Sequence, residues 1–437
     1  MRRLYTLLWW GALPLLPLRL WWRGRREPVY RTLPGERFGR YRGAARAAGP
    51  DVLWIHAVSL GETRAIAPLV ERLLRDSPQR SILLTHMTAT GREAGRALFG
   101  NRVVQAWLPY DFPFAVRRFF AQFHPRAGLL VETELWPNLT AEAVRRGVPM
   151  LLVNARLSER SAKGYRRIAA LSRPLFRALD GVAAQSKPDA DRLRELGARE
   201  VTVTGNLKFD VTVPAQQRTR AAELRERFGT NRPVLVLAST REGEEVLLLD
   251  ALARATTLPA TTLIVIVPRH PQRFDAVAAL LAERRLVFVR RSSNDAVAAD
   301  CRIVLGDSLG EMLAYYVAAD VAFVAGSLLP LGGQNLIEPI AAGVATLIGP
   351  HTFNFGQASG DAILANAALR VRDADDVFAT AARLLVDAAA RNELIANAQT
   401  FIAAHRGATE RLAQWLALQL ERKATTSASS LTRAAVD

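Results

Sequence analysis

Short apolar runs alternating with helical patterns constrain this chain more than any other feature of it. From residue 51 to about 210, strands are predicted at Val52–Ile55, Ile82–Thr85, Val103–Leu108, Ala127–Val131, Met150–Val153, Val182–Gln185 and Val201–Thr204. Between them lie helical patterns such as Glu62–Arg75, Gly91–Leu98, Phe114–Phe123, Leu139–Arg146 and Pro188–Leu196. Such alternation argues for a parallel sheet covered on both faces. A second series begins at Val234–Ala238 and continues through Leu263–Val267, Ile303–Leu305, Val321–Val324 and Thr346–Ile348. The fold class is therefore α/β, with two tandem Rossmann-like domains, 45–210 and 233–405. Residues 211–232 are polar and read as the linker, 406–423 as a C-terminal helix and 424–437 as a disordered tail. A length of 437 residues accommodates this plan.

The N-terminus differs from the rest. The formal net charge is +17, and residues 1–50 carry +9 of it through eleven arginines and two acids. A block of that kind suits an anionic partner, membrane or nucleic acid. Leu4 to Leu18 holds no charge, and Trp9, Trp10, Trp21 and Trp22 lie in or beside it. Fifteen uncharged residues fall short of the roughly 20 that span a bilayer, and Pro14 and Pro17 weaken the helix. Paired tryptophans beside arginines suit the headgroup interface. Residues 1–26 thus read as a membrane-associating segment. If it spans, Arg19, Arg23, Arg25 and Arg26 outweigh Arg2 and Arg3, which puts the C-terminal part in the cytoplasm. Nucleic-acid binding calls for aromatics interleaved with cations along a groove. Here they gather around one apolar segment, so no nucleic-acid partner is expected.

Several stretches place chemistry at strand ends. Ser59-Leu-Gly61 is a tight loop between an apolar strand and a helix opened by Glu62. That unit lifts a side chain to the carboxyl edge of a parallel sheet, where open α/β proteins bind ligands. Two roles fit Glu62: general base, or a first-turn acid complementing the helix dipole. Glu132 and Glu134 follow the strand ending at Val131, and Arg156 follows the next. Each suits either a ligand or a solvated loop. In the second series, Pro268 and Pro271 keep the backbone extended around Arg269, whose guanidinium suits a phosphate or carboxylate. Gly306-Asp-Ser-Leu-Gly-Glu311 offers the N–H groups of Leu309, Gly310 and Glu311 to a phosphate. Gly332-Gly333 makes a turn that a phosphate can approach, with Asn335 as an N-cap and Glu338 on the same helix face. Glu338 suits a ribose, or closes a capping box. Three such loops in one domain point to a nucleotide-sugar site.

Other chemistries lack their residues. No G-x-G-x-x-G follows a strand, and no P-loop or G-x-S-x-G elbow occurs. The single cysteine, Cys301, excludes an intrachain disulfide and a cysteine metal cluster. Asp189-Ala-Asp191 and Asp373-Ala-Asp375 have metal-diphosphate spacing but open helices, where capping explains them better. No metal or cofactor is expected.

Taken together, His56-Ala-Val-Ser-Leu-Gly-Glu62, Glu132-Thr-Glu-Leu-Trp-Pro-Asn138, Asn154-Ala-Arg-Leu-Ser158, Lys208-Phe-Asp210, Pro268-Arg-His-Pro271, Gly306-Asp307 with Gly310-Glu311, and Gly349-Pro-His-Thr-Phe-Asn-Phe355 resemble the Kdo (3-deoxy-D-manno-oct-2-ulosonic acid) transferase family of lipopolysaccharide synthesis. The resemblance runs in order over nearly the whole chain. It implies a GT-B glycosyltransferase architecture, no metal requirement, and transfer of Kdo from CMP-Kdo to a lipid A precursor, lipid IVA. The implied location is the cytoplasmic face of the cell inner membrane, against an anionic surface. It also implies Glu62 as the proton acceptor in an inverting displacement. Pro268, Arg269, Leu309, Gly310, Glu311, Asn335, Leu336, Ile337 and Glu338 are the implied CMP contacts, and Glu132, Glu134 and Arg156 remain candidates for acceptor or transition-state support. Where the family pattern reads Gly-Gly-His-Asn-Pro-Leu-Glu-Pro, this chain has Gln334, Leu336 and Ile337. Where the family tends to Ser-Thr-His-Glu, it has Arg241. The alternative activity is another GT-B transferase moving a nucleotide-activated sugar onto a lipid carrier.

Overall fold

The computed structural model describes residues 1–43, 49 and 51–434. The chain forms two units. Unit 1 comprises Met1–Asp210 and Gly407–Asp437, and unit 2 comprises Val211–Arg406.

Unit 1 is built on a seven-stranded parallel sheet: β1 (Val52–His56), β2 (Ser81–His86), β3 (Val104–Trp107), β4 (Ala127–Val131), β5 (Met150–Ala155), β6 (Gly181–Ala184) and β7 (Val201–Val203). Their order in space is β3-β2-β1-β4-β5-β6-β7. Strand β1 pairs with β2 on one side and with β4 on the other, so the order reverses between β1 and β4. That reversal opens a crevice at the carboxyl edge. Every residue of β1 is buried, as a strand covered on both faces requires. Trp54 sits at its centre, donating from Nε1 to Thr85 Oγ1 at 2.8 Å and meeting Phe119 edge-on at 4.9 Å. Gly128 makes room for it, since a Cβ there would lie 2.6 Å from the indole.

Unit 2 repeats the plan with β8 (Val234–Thr240), β9 (Leu263–Pro268), β10 (Phe288–Arg290), β11 (Ile303–Leu305), β12 (Val321–Val324), β13 (Ala345–Ile348) and β14 (Leu369–Arg370). The order is β10-β11-β9-β8-β12-β13-β14, again all parallel, with the reversal between β8 and β12. The alternating pattern thus gives two doubly wound domains. It did not expose β10 or β14, which are three and two residues long and lie at the sheet edges.

Four boundaries differ from expectation. Residues 211–232 are not a bare linker. Ala215–Phe228 is a helix of unit 2 that buries Ala221, Leu224 and Phe228, an apolar set too sparse to stand out among charged neighbours. Residues 1–26 are not a separate segment. Helices Arg2–Ala12 and Leu15–Arg26 dock on unit 1, with Leu16 and Leu20 buried beside Tyr110 and Phe112. Unit 1 also starts before residue 45, because Tyr30, Glu36, Arg37 and Tyr41 are in its interior. Residues 44–48 and 50 lie outside the described residues. Finally, helix Ala408–Ala434 extends past residue 423 into the stretch expected as a disordered tail, of which 435–437 lie outside the described residues. Its first turns return to unit 1, where Leu412, Trp415, Leu416 and Leu420 pack on the β1 and β4 side chains.

Among the described residues, no helix is long and apolar enough to cross a membrane. The N-terminal helices break at Leu13–Pro14 and still leave Leu7, Leu8, Trp10, Leu15, Leu18 and Trp22 exposed.

Candidate functional site

Glu62 sits where β1 turns into helix Leu60–Asp76. Ser59 is the N-cap, and its Oγ accepts from Glu62 N. The Glu62 carboxylate turns back over the cap: Oε2 accepts from Val58 N–H at 2.8 Å and Oε1 from Ser59 O–H at 2.7 Å. Val58 is itself pinned, its carbonyl accepting from Thr88 N–H at 3.1 Å and Thr88 Oγ1 at 2.8 Å. This resembles a capping box, so the first-turn role weighed for Glu62 is real. The electrostatics add a second property. Burial, then the neighbouring charge of Glu132, push the Glu62 carboxyl up to about 7, against the two hydrogen bonds that favour its ionised form. A carboxylate serving only as a helix cap would titrate low.

The second and third carboxylates come from the loop after β4, across the reversal from β1. Glu132 takes a left-handed φ of +62°, which costs a non-glycine residue about 1–3 kcal/mol and concentrates at functional sites. Its N–H still donates to Val153 O at 3.0 Å, and its Oε1 accepts from Lys208 Nζ at 3.1 Å. Burial and Glu132 also push Glu134 up to about 7. Arg156, after β5, joins the same edge, its carbonyl accepting from Thr133 Oγ1. The structure therefore gathers Glu62, Glu132 and Glu134 into one electrostatically coupled group, with Arg156 in the adjoining loop. Such a group can take a proton near neutral pH.

Beneath it, His56 and His86 are buried and held neutral, pushed down to about 3 and about 4, chiefly by burial. The aspartate pairs serve helices and loops instead. Asp373 caps the helix Ala374–Val386, and Asp189 Oδ1 accepts from Leu157 N–H at 2.9 Å while its N–H meets the Ser186 cap.

In unit 2 the expected nucleotide contacts also collect at strand ends. Arg269 follows β9; its N–H donates to Thr240 O at 3.0 Å and its Nε to Gln334 Oε1 at 3.2 Å. After β12 the loop folds back through left-handed Gly326, Gly332 and Gly333, with Gly333 N–H meeting Gly326 O at 2.6 Å. Asn354 clamps this loop by donating from Nδ2 to Leu331 O at 3.1 Å and to Gly333 O at 3.3 Å. Glu244, fully buried, accepts from Gly326 N–H at 2.6 Å and Leu328 N–H at 3.0 Å. Asn335 Oδ1 accepts from Ile337 N–H and its Nδ2 donates to Glu338 Oε1, each at 3.1 Å. Asn335 is therefore not the N-cap: Leu336 holds that position before the helix Ile337–Ala342, and Asn335, one residue earlier, holds Ile337 N–H and Glu338 through its side chain.

Three of the expected contacts are restricted. Leu336 and Ile337 are core side chains, so only their backbone can meet a ligand. The Glu311 carboxylate is committed to Arg291 at 3.1 Å and to the Ser308 hydroxyl at 2.6 Å. Its N–H remains, with those of Leu309 and Gly310, and Gly310 adopts the positive φ of 78° that the turn needs. Pro268 closes the buried end of β9. Sequence reasoning missed Glu244, Asn354 and the pairing of Lys208 with Glu132. For Lys208 and Asn354 the motifs were in view, but their partners are set only by the tertiary fold.

Comparison with known proteins then decides the family. Residues 34–211 match the family model described as 3-deoxy-D-manno-octulosonic-acid transferase (kdotransferase). A 3-deoxy-D-manno-octulosonic acid transferase of Bordetella pertussis is 48% identical over 95% of this chain and 99% of its own length. The chain belongs to the Kdo transferase family. A second member, from Haemophilus influenzae, is 35% identical over 96% of this chain and 99% of its own length. The fold agrees. The Anabaena HepE structure in complex with UDP superimposes with a TM-score of 0.58, covering 85% of this chain and 100% of that one at 13% identity. Two parallel α/β domains of GT-B type are therefore the architecture of this family member.

Proposed function

We propose that this transferase moves Kdo from CMP-Kdo to a lipid A precursor, lipid IVA, by an inverting displacement with Glu62 as general base. The acceptor hydroxyl gives its proton to Glu62 as its oxygen attacks the anomeric carbon, and CMP leaves. The observation that carries this reading is the Glu62 carboxylate, fixed by two hydrogen bonds at the crevice edge yet pushed up to about 7. A base with that affinity is partly ionised at neutral pH and still able to hold a proton.

CMP-Kdo carries a single phosphate. Arg269 and the N–H groups of Leu309, Gly310 and Glu311 suit it by charge-assisted hydrogen bonding. Glu338, oriented by Asn335, suits the ribose hydroxyls. Within unit 1, the exposed leucines and tryptophans of the N-terminal helices, beside Arg19, Arg23 and Arg25, suit attachment to the anionic cytoplasmic face of the inner membrane without spanning it.

The test is transfer of labelled Kdo from CMP-Kdo to lipid IVA by the wild type and by Glu62→Gln, with CMP binding measured on both. Loss of about 10² or more in rate with CMP binding retained supports the base. Transfer surviving in the variant refutes it. A wild type that binds CMP but makes no product favours a different sugar or lipid carrier.

A further inference from the structure

The donor reading proposed above leaves one ionised group of CMP-Kdo without a partner. A 2-ulosonic acid carries its carboxylate on the anomeric carbon, the same carbon that bears the phosphate ester. Two anions therefore flank the reacting centre. Arg269 and the N–H groups of residues 309–311 suit the phosphate, and Glu338 suits the ribose.

A second cation stands beside Arg269. Strand β8 lies at the reversal of the unit 2 sheet, between β9 and β12, and open α/β folds bind ligands outside the carboxyl ends of such strands. Arg241 is the first residue past that end. Ala238 pairs with Val267 and Thr240 with Pro268, so Ser239 is an extra residue on β8. It takes a left-handed φ of +59°. Bulges re-aim the side chains that follow them, and a strained φ on a non-glycine residue is concentrated at functional sites. Thr240 O accepts from Arg269 N–H at 3.0 Å, so Arg241 and Arg269 leave adjacent strands side by side. Buried Glu244 fixes the turn, its Oε2 accepting from Arg241 N–H at 3.1 Å and from Gly326 N–H at 2.6 Å. One carboxylate thus ties the turn after β8 to the glycine loop after β12.

The arginines of this edge are not equivalent. Arg273 is paired with Glu245 at 3.1 Å and with Glu242 at 3.6 Å. Arg269 Nε donates to Gln334 Oε1 at 3.2 Å. Among the described residues, no hydrogen bond or ion pair engages the guanidinium of half-buried Arg241. The edge is electropositive: burial, then Arg269, Arg241 and Arg273, hold His270 below the usual proton affinity of an imidazole. A planar guanidinium meets a carboxylate through two parallel hydrogen bonds.

We propose that Arg241 binds the carboxylate of the ulosonic acid donor and makes this site selective for an acidic sugar. Arg269 serves the phosphate and Arg241 the neighbouring carboxylate. The inference rests on CMP-Kdo being the donor.

The test is binding of CMP-Kdo and of its carboxamide analogue to the full chain, read by competition with labelled CMP. The analogue keeps the shape of the donor and lacks the carboxylate charge. Wild type, Arg241→Met and Arg241→Lys are compared, with transfer of labelled Kdo measured on each. The wild type should favour the acid over the amide by about 10-fold or more. Arg241→Met should hold CMP within about 2-fold of the wild type, lose about 10-fold or more in affinity for CMP-Kdo, and bind acid and amide within about 3-fold of each other. Its KM for CMP-Kdo should rise with kcat little changed, as when an interaction equal in the ground and transition states is removed. Arg241→Lys keeps the charge without the fork and should fall between. An Arg241→Met variant that prefers the acid as strongly as the wild type overturns the proposal, and so does an equal loss of affinity for CMP and CMP-Kdo. A wild type that transfers Kdo yet binds acid and amide alike also overturns it, with the donor reading intact. A wild type that binds CMP but neither binds CMP-Kdo nor transfers Kdo shows that the donor reading has failed, and the proposal with it.

Discussion

Glu62→Gln should make the protein more stable at alkaline pH while removing its activity. A carboxyl pushed from 4.5 up to about 7 by burial and by Glu132 is easier to protonate in the folded chain than in the unfolded one. Ionising it therefore costs the folded state. The cost is absent well below 4.5, grows as pH rises between the two values, and is complete above about 7. A shift of that size corresponds to at most about 3 kcal/mol. The side chain is only partly buried, and solvent screening brings this to roughly 1–2 kcal/mol. Glutamine fills the same space without the charge. It keeps an acceptor for Ser59 or for Val58 but not for both, a loss of about 1 kcal/mol at every pH. The pH dependence of the effect is thus the informative quantity. For a unit of this size 1 kcal/mol moves Tm by about 2–4 °C. The Tm difference between variant and wild type should be more favourable to the variant at pH 8 than at pH 5, by about 2–8 °C. Calorimetric melts at the two pH values, beside transfer assays, give the answer. A variant destabilised equally at both would show that the carboxylate is an ordinary helix cap and would refute the reasoning.

Three further outcomes follow from the packing. Asp210→Ala should destabilise unit 1 by about 2–3 kcal/mol and so lower its urea midpoint, because Gly407 N–H at 2.7 Å and Thr409 N–H at 2.5 Å both donate to its carboxylate; an unchanged midpoint would count against it. Gly349→Ala should destabilise unit 2 by about 1–3 kcal/mol and weaken CMP binding, since its Cβ would fall 2.4 Å from the Ser327 carbonyl oxygen; calorimetry and CMP titration read both effects. Leu7→Asn with Leu8→Asn, at 65% and 68% exposure, should leave Tm within about 1–2 °C yet reduce sedimentation with anionic vesicles; undiminished sedimentation would place the lipid contact elsewhere.

The sheets were legible because their strands are buried on both faces, and such strands read as unbroken apolar runs. Val52–His56 and Leu263–Pro268 are examples. Helix Ala215–Phe228 was illegible for the opposite reason: it buries one narrow stripe among arginines and glutamines. At the site, a motif gave the position of Glu62, and the strand–turn–helix pattern gave its edge. Its perturbed proton affinity could not be read, because that depends on Glu132, brought near only by pairing β1 with β4. Likewise the loop motif offered the Glu311 N–H but could not show that Arg291, 20 residues earlier, holds the Glu311 carboxylate. Sequence spacing shows which edge a side chain reaches but not which charges it meets there.

The return of the chain to unit 1 bears on how the protein is made. The sheet and its flanking helices up to Asp210 are synthesised first, but one face of β1 and β4 is covered by Leu412, Trp415 and Leu416. Those residues leave the ribosome only after all of unit 2. The earlier-made half must wait with that part of its apolar face uncovered, although Ile66, Leu69 and Val70 already cover the rest, while the later-made half is already complete in sequence. The last helix thus closes the first domain. Stop codons early in that helix should therefore yield a protein whose unit 2 is sound and whose unit 1 aggregates.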